Sequence, residues 1–186
     1  YDYSGRNVID RTHHNNLRPG VYYICSVRYD GTGSYTIQSV FTPSRLANDP
    51  EPNDSSRVAV SLEPNSFRTG HLGYYGNGYT DKEDWRKITI PSDGALLIKT
   101  LADSTLEIDN YIYDQDGKTQ IARYDFGGSH AEDQTHHNNL KAGTYYIRTY
   151  AYNGYGSYSI NSVFTPARLE DDAAPNDSVA VATLLP

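Results

Sequence analysis

Apolar and polar positions alternate with a period of two through most of the chain between Asp84 and Thr165, and no run carries the 3.6-residue period of an amphipathic helix. Asp84-Trp85-Arg86-Lys87-Ile88-Thr89-Ile90 alternates and stops at Pro91, after which Ser92-Asp93-Gly94 reads as a turn. Ala95 to Leu101 is apolar enough for a central strand. Leu106 to Tyr113 alternates again, with Leu106, Ile108, Asn110 and Ile112 on one side. Asp114-Gln115-Asp116-Gly117 reads as a hairpin turn into a strand over Thr119 to Tyr124. Thr144 to Tyr152 and Gly156 to Thr165 flank a turn at Asn153-Gly154, and Arg57 to Leu62 and Phe67 to Leu72 are shorter strands ahead of the series. Strands of this length, separated by turn signals about every 8–12 residues, predict an all-β, antiparallel sandwich.

The same pattern occurs more than once. Thr12-His13-His14-Asn15-Asn16-Leu17 returns 123 residues later as Thr135-His136-His137-Asn138-Asn139-Leu140. Gly20-Val21-Tyr22-Tyr23-Ile24 returns as Gly143-Thr144-Tyr145-Tyr146-Ile147, and Gly33-Ser34-Tyr35 as Gly156-Ser157-Tyr158, at the same offset. A period of 123 residues is too long for a solenoid unit and has the size of a domain. The expected organisation is therefore tandem: 1–47 as the C-terminal part of one repeat, 48–168 as a complete repeat and 169–186 as the opening segment of a third.

Composition narrows the function classes. Lys and Arg total 16 against 23 Asp and Glu, a net charge of −7, which disfavours nucleic acid as a partner. Mean hydropathy is −0.68 and no apolar run approaches membrane-span length. The single cysteine, Cys25, has Arg148 as its counterpart one period on, so no disulfide forms within the chain. There is no methionine, which suggests a piece processed or excised from something longer. Tyrosine dominates the aromatics, 18 against 4 Phe and 1 Trp, as suits exposed β structure.

The repeats meet at Asn48-Asp49-Pro50-Glu51-Pro52-Asn53-Asp54-Ser55, an acidic, proline-stiffened block. This junction, the Asp84-Trp85 at the first long strand, the Tyr113-Asp114-Gln115-Asp116-Gly117 hairpin, and Gly143-Thr144-Tyr145-Tyr146-Ile147-Arg148 ahead of Gly156-Ser157-Tyr158 together resemble the bacterial pre-peptidase C-terminal domain. That family is similar to the collagen-binding domain of clostridial collagenases. The resemblance implies a jelly-roll-like β-sandwich attached to secreted enzymes or surface proteins. It also implies calcium held by Asp49, Glu51, Asn53 and Asp54 from the junction with Asp81 and Asp84 from a nearby loop.

The chemistry of that set agrees. Calcium takes six to eight hard oxygens, and Asp49, Glu51 and Asn53 alternate, so an extended segment presents all three on one side. A cation there would tie the junction to the sandwich and raise its rigidity and stability. In the third copy Ala174 replaces the glutamate, while Asp172, Asn176 and Asp177 remain; no site is assigned there.

Two tyrosine groups are candidate ligand surfaces. On the strand Thr144 to Tyr152, alternation puts Tyr145, Ile147, Thr149 and Ala151 on a core face and Tyr146, Arg148, Tyr150 and Tyr152 on the other. Tyr146, Tyr150 and Tyr152 would form an aromatic platform for a sugar ring or an extended polymer. Tyr74, Tyr75 and Tyr79 lie in a Gly- and Tyr-rich loop of the kind that binds ligands. The His-His-Asn-Asn blocks invite a transition-metal reading, but adjacent strand residues point to opposite faces and would not chelate together, so the blocks read as turns before the Tyr-Tyr strands. No nucleophile elbow, phosphate loop or Cys/His pair common to both copies is present.

The function expected is a non-catalytic, calcium-stabilised module of a secreted or surface bacterial protein, binding a polysaccharide or collagen-like polymer or mediating adhesion. The alternative is a subunit of an extracellular stalk or filament, in which copies of the chain associate through strand exchange between repeats.

Overall fold

The computed structural model describes residues 9–14, 16–76, 79–124, 132–168 and 178–181. Two sheets face one another. One contains β1 (Val60–Ser61), β5 (Glu83–Ile90), β10 (Gly143–Gly154), β7 (Leu106–Tyr113) and β8 (Gln120–Tyr124), in that lateral order. The other contains β2 (Phe67–Leu72), β11 (Gly156–Pro166), β6 (Gly94–Ala102) and β9 (Glu132–Leu140). A two-stranded ribbon, β3 (Tyr75–Gly76) with β4 (Tyr79–Thr80), precedes β5. All pairings are antiparallel except β1 with β5.

The alternation in the sequence becomes the core. Ile88 and Ile90 of β5, Leu96 and Ile98 of β6, Leu106 and Ile112 of β7, and Ile147 of β10 are buried between the sheets. β10 and β11 are consecutive in the chain but central in opposite sheets. The corner between them is Gly154-Tyr155-Gly156. Gly154 has φ +78°, and a Cβ there would stand 1.9 Å from the Thr105 carbonyl oxygen, so no other residue fits.

Three sequence expectations change. Arg57 to Leu62 is not one strand. Ser56–Val58 forms a 3-10 turn closed by Val58 N–H to Ser55 O (3.1 Å), and only Val60–Ser61 pairs. The chain leaving the junction must turn before it can run parallel to β5. The His136-His137 block is not a turn but the interior of β9, paired with β6. Its inward positions, Asp133, Thr135 and Leu140, are buried, while its polar remainder faces out at a sheet edge. The Gly- and Tyr-rich loop contains the β3–β4 ribbon.

Residues 9–47, expected to be the C-terminal part of a repeat, differ from the sandwich sequence they resemble. Among the described residues of 9–47 there is no strand, only an isolated parallel bridge from Leu17 to Tyr75. Tyr23 is 92% exposed and Tyr35 75%, although the matching Tyr158 is fully buried. The positions beside β5, β7, β2 and β6 that such strands would occupy are filled by β10 and β11. Of 169–186, expected to open a third repeat, only Ser178 and the 3-10 turn Val179–Val181 are described, and that turn matches Ser56–Val58 at the 123-residue offset. Its acidic positions Asp172, Asn176 and Asp177 lie outside the described residues.

Candidate cation site and aromatic sheet face

The junction segment crosses one end of the sandwich, and its Glu51–Pro52 peptide is cis. Its anchor is the start of β5: Trp85 N–H donates to the Asn53 carbonyl (2.8 Å). Asp84 stands at that same end of β5. Asp81 follows the β3–β4 ribbon and is fixed by Asp81 N–H to Tyr74 O (2.9 Å) and Gly73 N–H to Asp81 O (2.7 Å).

Carboxylate oxygens of Asp49, Glu51 and Asp84 lie within 4.8 Å of one another. Oxygens on opposite sides of one calcium ion stand about 4.6–5.2 Å apart, so this spacing fits a shared coordination sphere. Asn53 joins the trio by donating from Nδ2 to Asp49 Oδ2 (2.8 Å), which leaves its Oδ1 free to ligate. Asp81 lies close enough to Asp84 and Glu51 for their charges to act on it, and Arg18 Nη2 stands 3.4 Å from Asp81 Oδ2 and 3.7 Å from Glu51 Oε1. Asp54 Oδ1 is also buried, but among the described residues it makes no hydrogen bond and is not one of the trio.

Among the described residues, eleven buried side-chain polar atoms lack a hydrogen-bond partner, and eight are oxygens of this segment and loop. They belong to Asn48, Asp49, Glu51, Asn53, Asp54, Asp81 (both oxygens) and Asp84. A buried acceptor without a donor costs about 1–3 kcal/mol, and more when charged. A set of this geometry and chemistry can hold a metal ion.

The sequence reading missed the basic floor of this site. Arg86, on β5 and 1% exposed, donates from Nη2 to Asp49 Oδ2 (2.6 Å) and from Nη1 to the Tyr158 hydroxyl (2.5 Å). Tyr158, on β11, donates its own proton to Asp84. One continuous network therefore joins junction, β5 and β11. Its sequence signal was Gly-Ser-Tyr in both copies, which places a hydroxyl on a core-facing position. Gly70 on β2 leaves room for that ring: a Cβ there would stand 2.7 Å from it.

Charge crowding shows in the acids. Burial raises Asp81 to about 9, with Asp84 and Glu51 adding to the rise. Burial likewise raises Asp84 to about 8, with Asp49 adding, against Arg86. Asp49 is raised by burial despite the Arg86 guanidinium beside it. Burial opposes the charge on Arg86, but Tyr158, Asp49 and Asp84 outweigh it and hold the guanidinium ionised.

The tyrosines divide. Tyr74 is corrected: it is buried, stacked on His71 at 3.6 Å between ring centroids, with its hydroxyl on Ser44 Oγ (3.2 Å). Its ring face is used internally, so it offers no ligand platform. Burial also lowers the stacked His71 to about 4. Tyr75 is 42% exposed; the Tyr79 side chain lies outside the described residues.

On β10, Tyr145, Ile147, Thr149 and Ala151 are buried, and Tyr146, Arg148, Tyr150 and Tyr152 occupy the outer face. Cross-strand pairing adds residues that the single-strand pattern did not show. Arg148 lies opposite Trp85 and Tyr111, and Tyr146 opposite Tyr113. The Arg148 guanidinium sits over Tyr150 (4.6 Å) and Tyr111 (5.4 Å) and donates to Glu83. Trp85 packs against Tyr113 at 4.8 Å. The result is an aromatic sheet face in which rings are held by guanidinium groups.

No protein-family model and no curated protein sequence matches the chain. Among solved structures, it is similar to the pre-peptidase C-terminal domain of collagenase from Bacillus anthracis: 22% identity, TM-score 0.46, covering 61% of this chain and 99% of that one. It is also similar to a carbohydrate-binding module of lichenase 5A from Cellvibrio mixtus, solved with cellotriose: 21% identity, TM-score 0.32, covering 53% and 87%. Among the described residues, no helix is long and apolar enough to cross a membrane.

Proposed function

We propose that this chain is a non-catalytic binding module of a secreted or surface bacterial protein, clipped together by calcium at the junction. The observation that carries the proposal is the set of eight buried oxygens of the junction and loop that lack a hydrogen-bond partner among the described residues, with Asp49, Glu51 and Asp84 close enough to share one ion. All are hard ligands, with no thiolate or imidazole among them, which suits calcium better than a transition metal. The outer face of the five-stranded sheet, centred on Tyr146, Arg148 and Tyr150, is the proposed contact for an extracellular polysaccharide or collagen-like polymer. Aromatic and arginine side chains supply large contact area at low entropic cost. Calorimetric titration with calcium chloride tests the cation: wild type should bind one ion, and Asp84→Asn should lose most of the affinity. A wild-type protein that gives no calcium heat would end this reading.

A second reading, a stalk or filament subunit built by strand exchange, is favoured by one observation. Residues 20–43 repeat the β10–β11 sequence yet stay exposed. Gly31 has φ +75°, nearly that of its counterpart Gly154. Exchange would swap one copy for the other, which conserves the number of filled sandwiches. It would also put Arg28 where Ala151 is buried. Both points rank it second. Light scattering in calcium and in chelator decides between them; a monomer in both sinks assembly.

A further inference from the structure

We propose that Arg18 is a tethered competitor of the cation, so that docking of residues 16–18 onto the sandwich and cation occupancy oppose each other. The proposal rests on the cation reading above and adds to it a residue from outside the sandwich.

Arg18 reaches the site from the first copy. Its Nη2 stands 3.4 Å from Asp81 and 3.7 Å from Glu51, within ion-pair range, while its Nε is buried without a partner. Charge draws the guanidinium in; the site gives it no complete set of hydrogen bonds. The backbone around it docks at the same place. Tyr75 N–H donates to Asn16 O (2.8 Å), Leu17 bridges to Tyr75, and the His14 ring lies 5.5 Å from that of Tyr75. Tyr22 closes the turn by donating its hydroxyl proton to Arg18 O (2.6 Å).

Four carboxylates gather here, those of Asp49, Glu51, Asp81 and Asp84, and Arg86 already answers Asp49 from the floor. Arg18 supplies the second positive charge. Glu51 belongs both to the trio that would hold the cation and to the pair that holds Arg18. A dication placed in the trio therefore stands close to the guanidinium, in a partly buried setting where like charges repel strongly. Two sites coupled in this way are coupled reciprocally. The factor by which docked Arg18 weakens the cation is the factor by which the cation weakens docking.

The chain's single tryptophan, Trp85, is anchored beside the site, and its single cysteine, Cys25, is exposed seven positions beyond Arg18. A dye on Cys25 accepting energy from Trp85 reports docking, and calorimetry with calcium chloride reports affinity. Arg18→Gln should bind calcium about ten-fold tighter or more. Its energy transfer without calcium should already equal the value that wild type reaches only at saturation. Arg18→Lys, which keeps the charge, should stay within about three-fold of wild type. Arg18 lies outside the sandwich core, and urea melts of both variants verify that they fold. Equal affinity with unchanged transfer overturns competition but leaves the cation site standing. Weaker binding by Arg18→Gln overturns it too, because Arg18 would then be supporting the site. No calcium binding by any of the three proteins removes the cation reading itself, and this inference with it.

Discussion

Tyr158→Phe removes one oxygen and leaves the ring, so its effect isolates the buried network from the packing around it. The hydroxyl accepts from Arg86 Nη1 at 2.5 Å and donates to Asp84, and all three side chains are essentially inaccessible to water. Arg86 retains Asp49 through Nη2 and its position over the ring at 5.2 Å, so the guanidinium stays charged with one donor unpaired. A hydrogen bond to a charged group contributes about 1.5–3 kcal/mol, and a buried polar group left without a partner adds about 1–3 kcal/mol. Since the two overlap, the expected loss in chelator is about 2–4 kcal/mol. With calcium present the ion engages Asp84, and the loss should shrink by about 1 kcal/mol, leaving mainly the Arg86 part. Urea unfolding followed by Trp85 emission reads this as a midpoint shift of about 1–2 M. The matched control is Tyr35→Phe, the same position in the exposed copy, which should stay within about 0.5 kcal/mol. A Tyr158→Phe loss below about 1 kcal/mol in chelator would refute the claim that this network holds the junction to the sandwich.

Three further outcomes are expected. Asp81 and Asp84 keep their protons in the folded protein to about 9 and about 8, against 3.8 in the unfolded chain, so the folded state binds more protons over that window. Stability in chelator should therefore fall as pH climbs from about 4 to about 9, while calcium affinity rises because fewer protons must leave; melts and titrations in matched buffers check both, and flat profiles count against the crowded-acid picture. Gly70→Ala should cost about 1–3 kcal/mol by urea melt, because the added methyl meets a Tyr158 ring that its own hydroxyl bonds hold in place. Tyr150→Ala on the outer sheet face should weaken polymer binding about ten-fold or more in a pull-down or calorimetric assay, with less than about 1.5 kcal/mol change in stability; unchanged binding would move the ligand surface elsewhere.

Alternation was sufficient for the long strands because Ile88, Ile90, Ile112 and Ile147 face a core on one side only. It failed where polarity masks a strand. β9 shows only Thr135 and Leu140 as core-facing cues among its histidines and asparagines, and its pairing comes from β6, forty residues away in sequence. The acidic half of the site was legible because oxygen ligands cluster in the sequence. Its basic half was not, because Arg86 and Tyr158 lie 72 positions apart and meet only across two sheets. Local composition likewise cannot show that Tyr74 turns inward onto His71 while Tyr75 beside it stays half-exposed. The first copy makes the same point in reverse. Its strand sequence is nearly that of β10 and β11, yet it forms no strand among the described residues, because pairing partners, not propensity, decide.

The bonds from Asp49 to Arg86 and from Asn53 to Trp85 also determine how the molecule would answer a pull along its length. Tension applied at residue 48 passes directly into β5, and the stretch from Asp54 to Asp84, with β1 to β4 inside it, is bypassed. At the other end the force enters β11, which is flanked by β2 and β6 and must slide past both. Stretching would then release length in two stages: first the bypassed stretch once the Arg86 ion pair parts, and then the sheets. A pull along the chain would meet a spring with a hidden reserve.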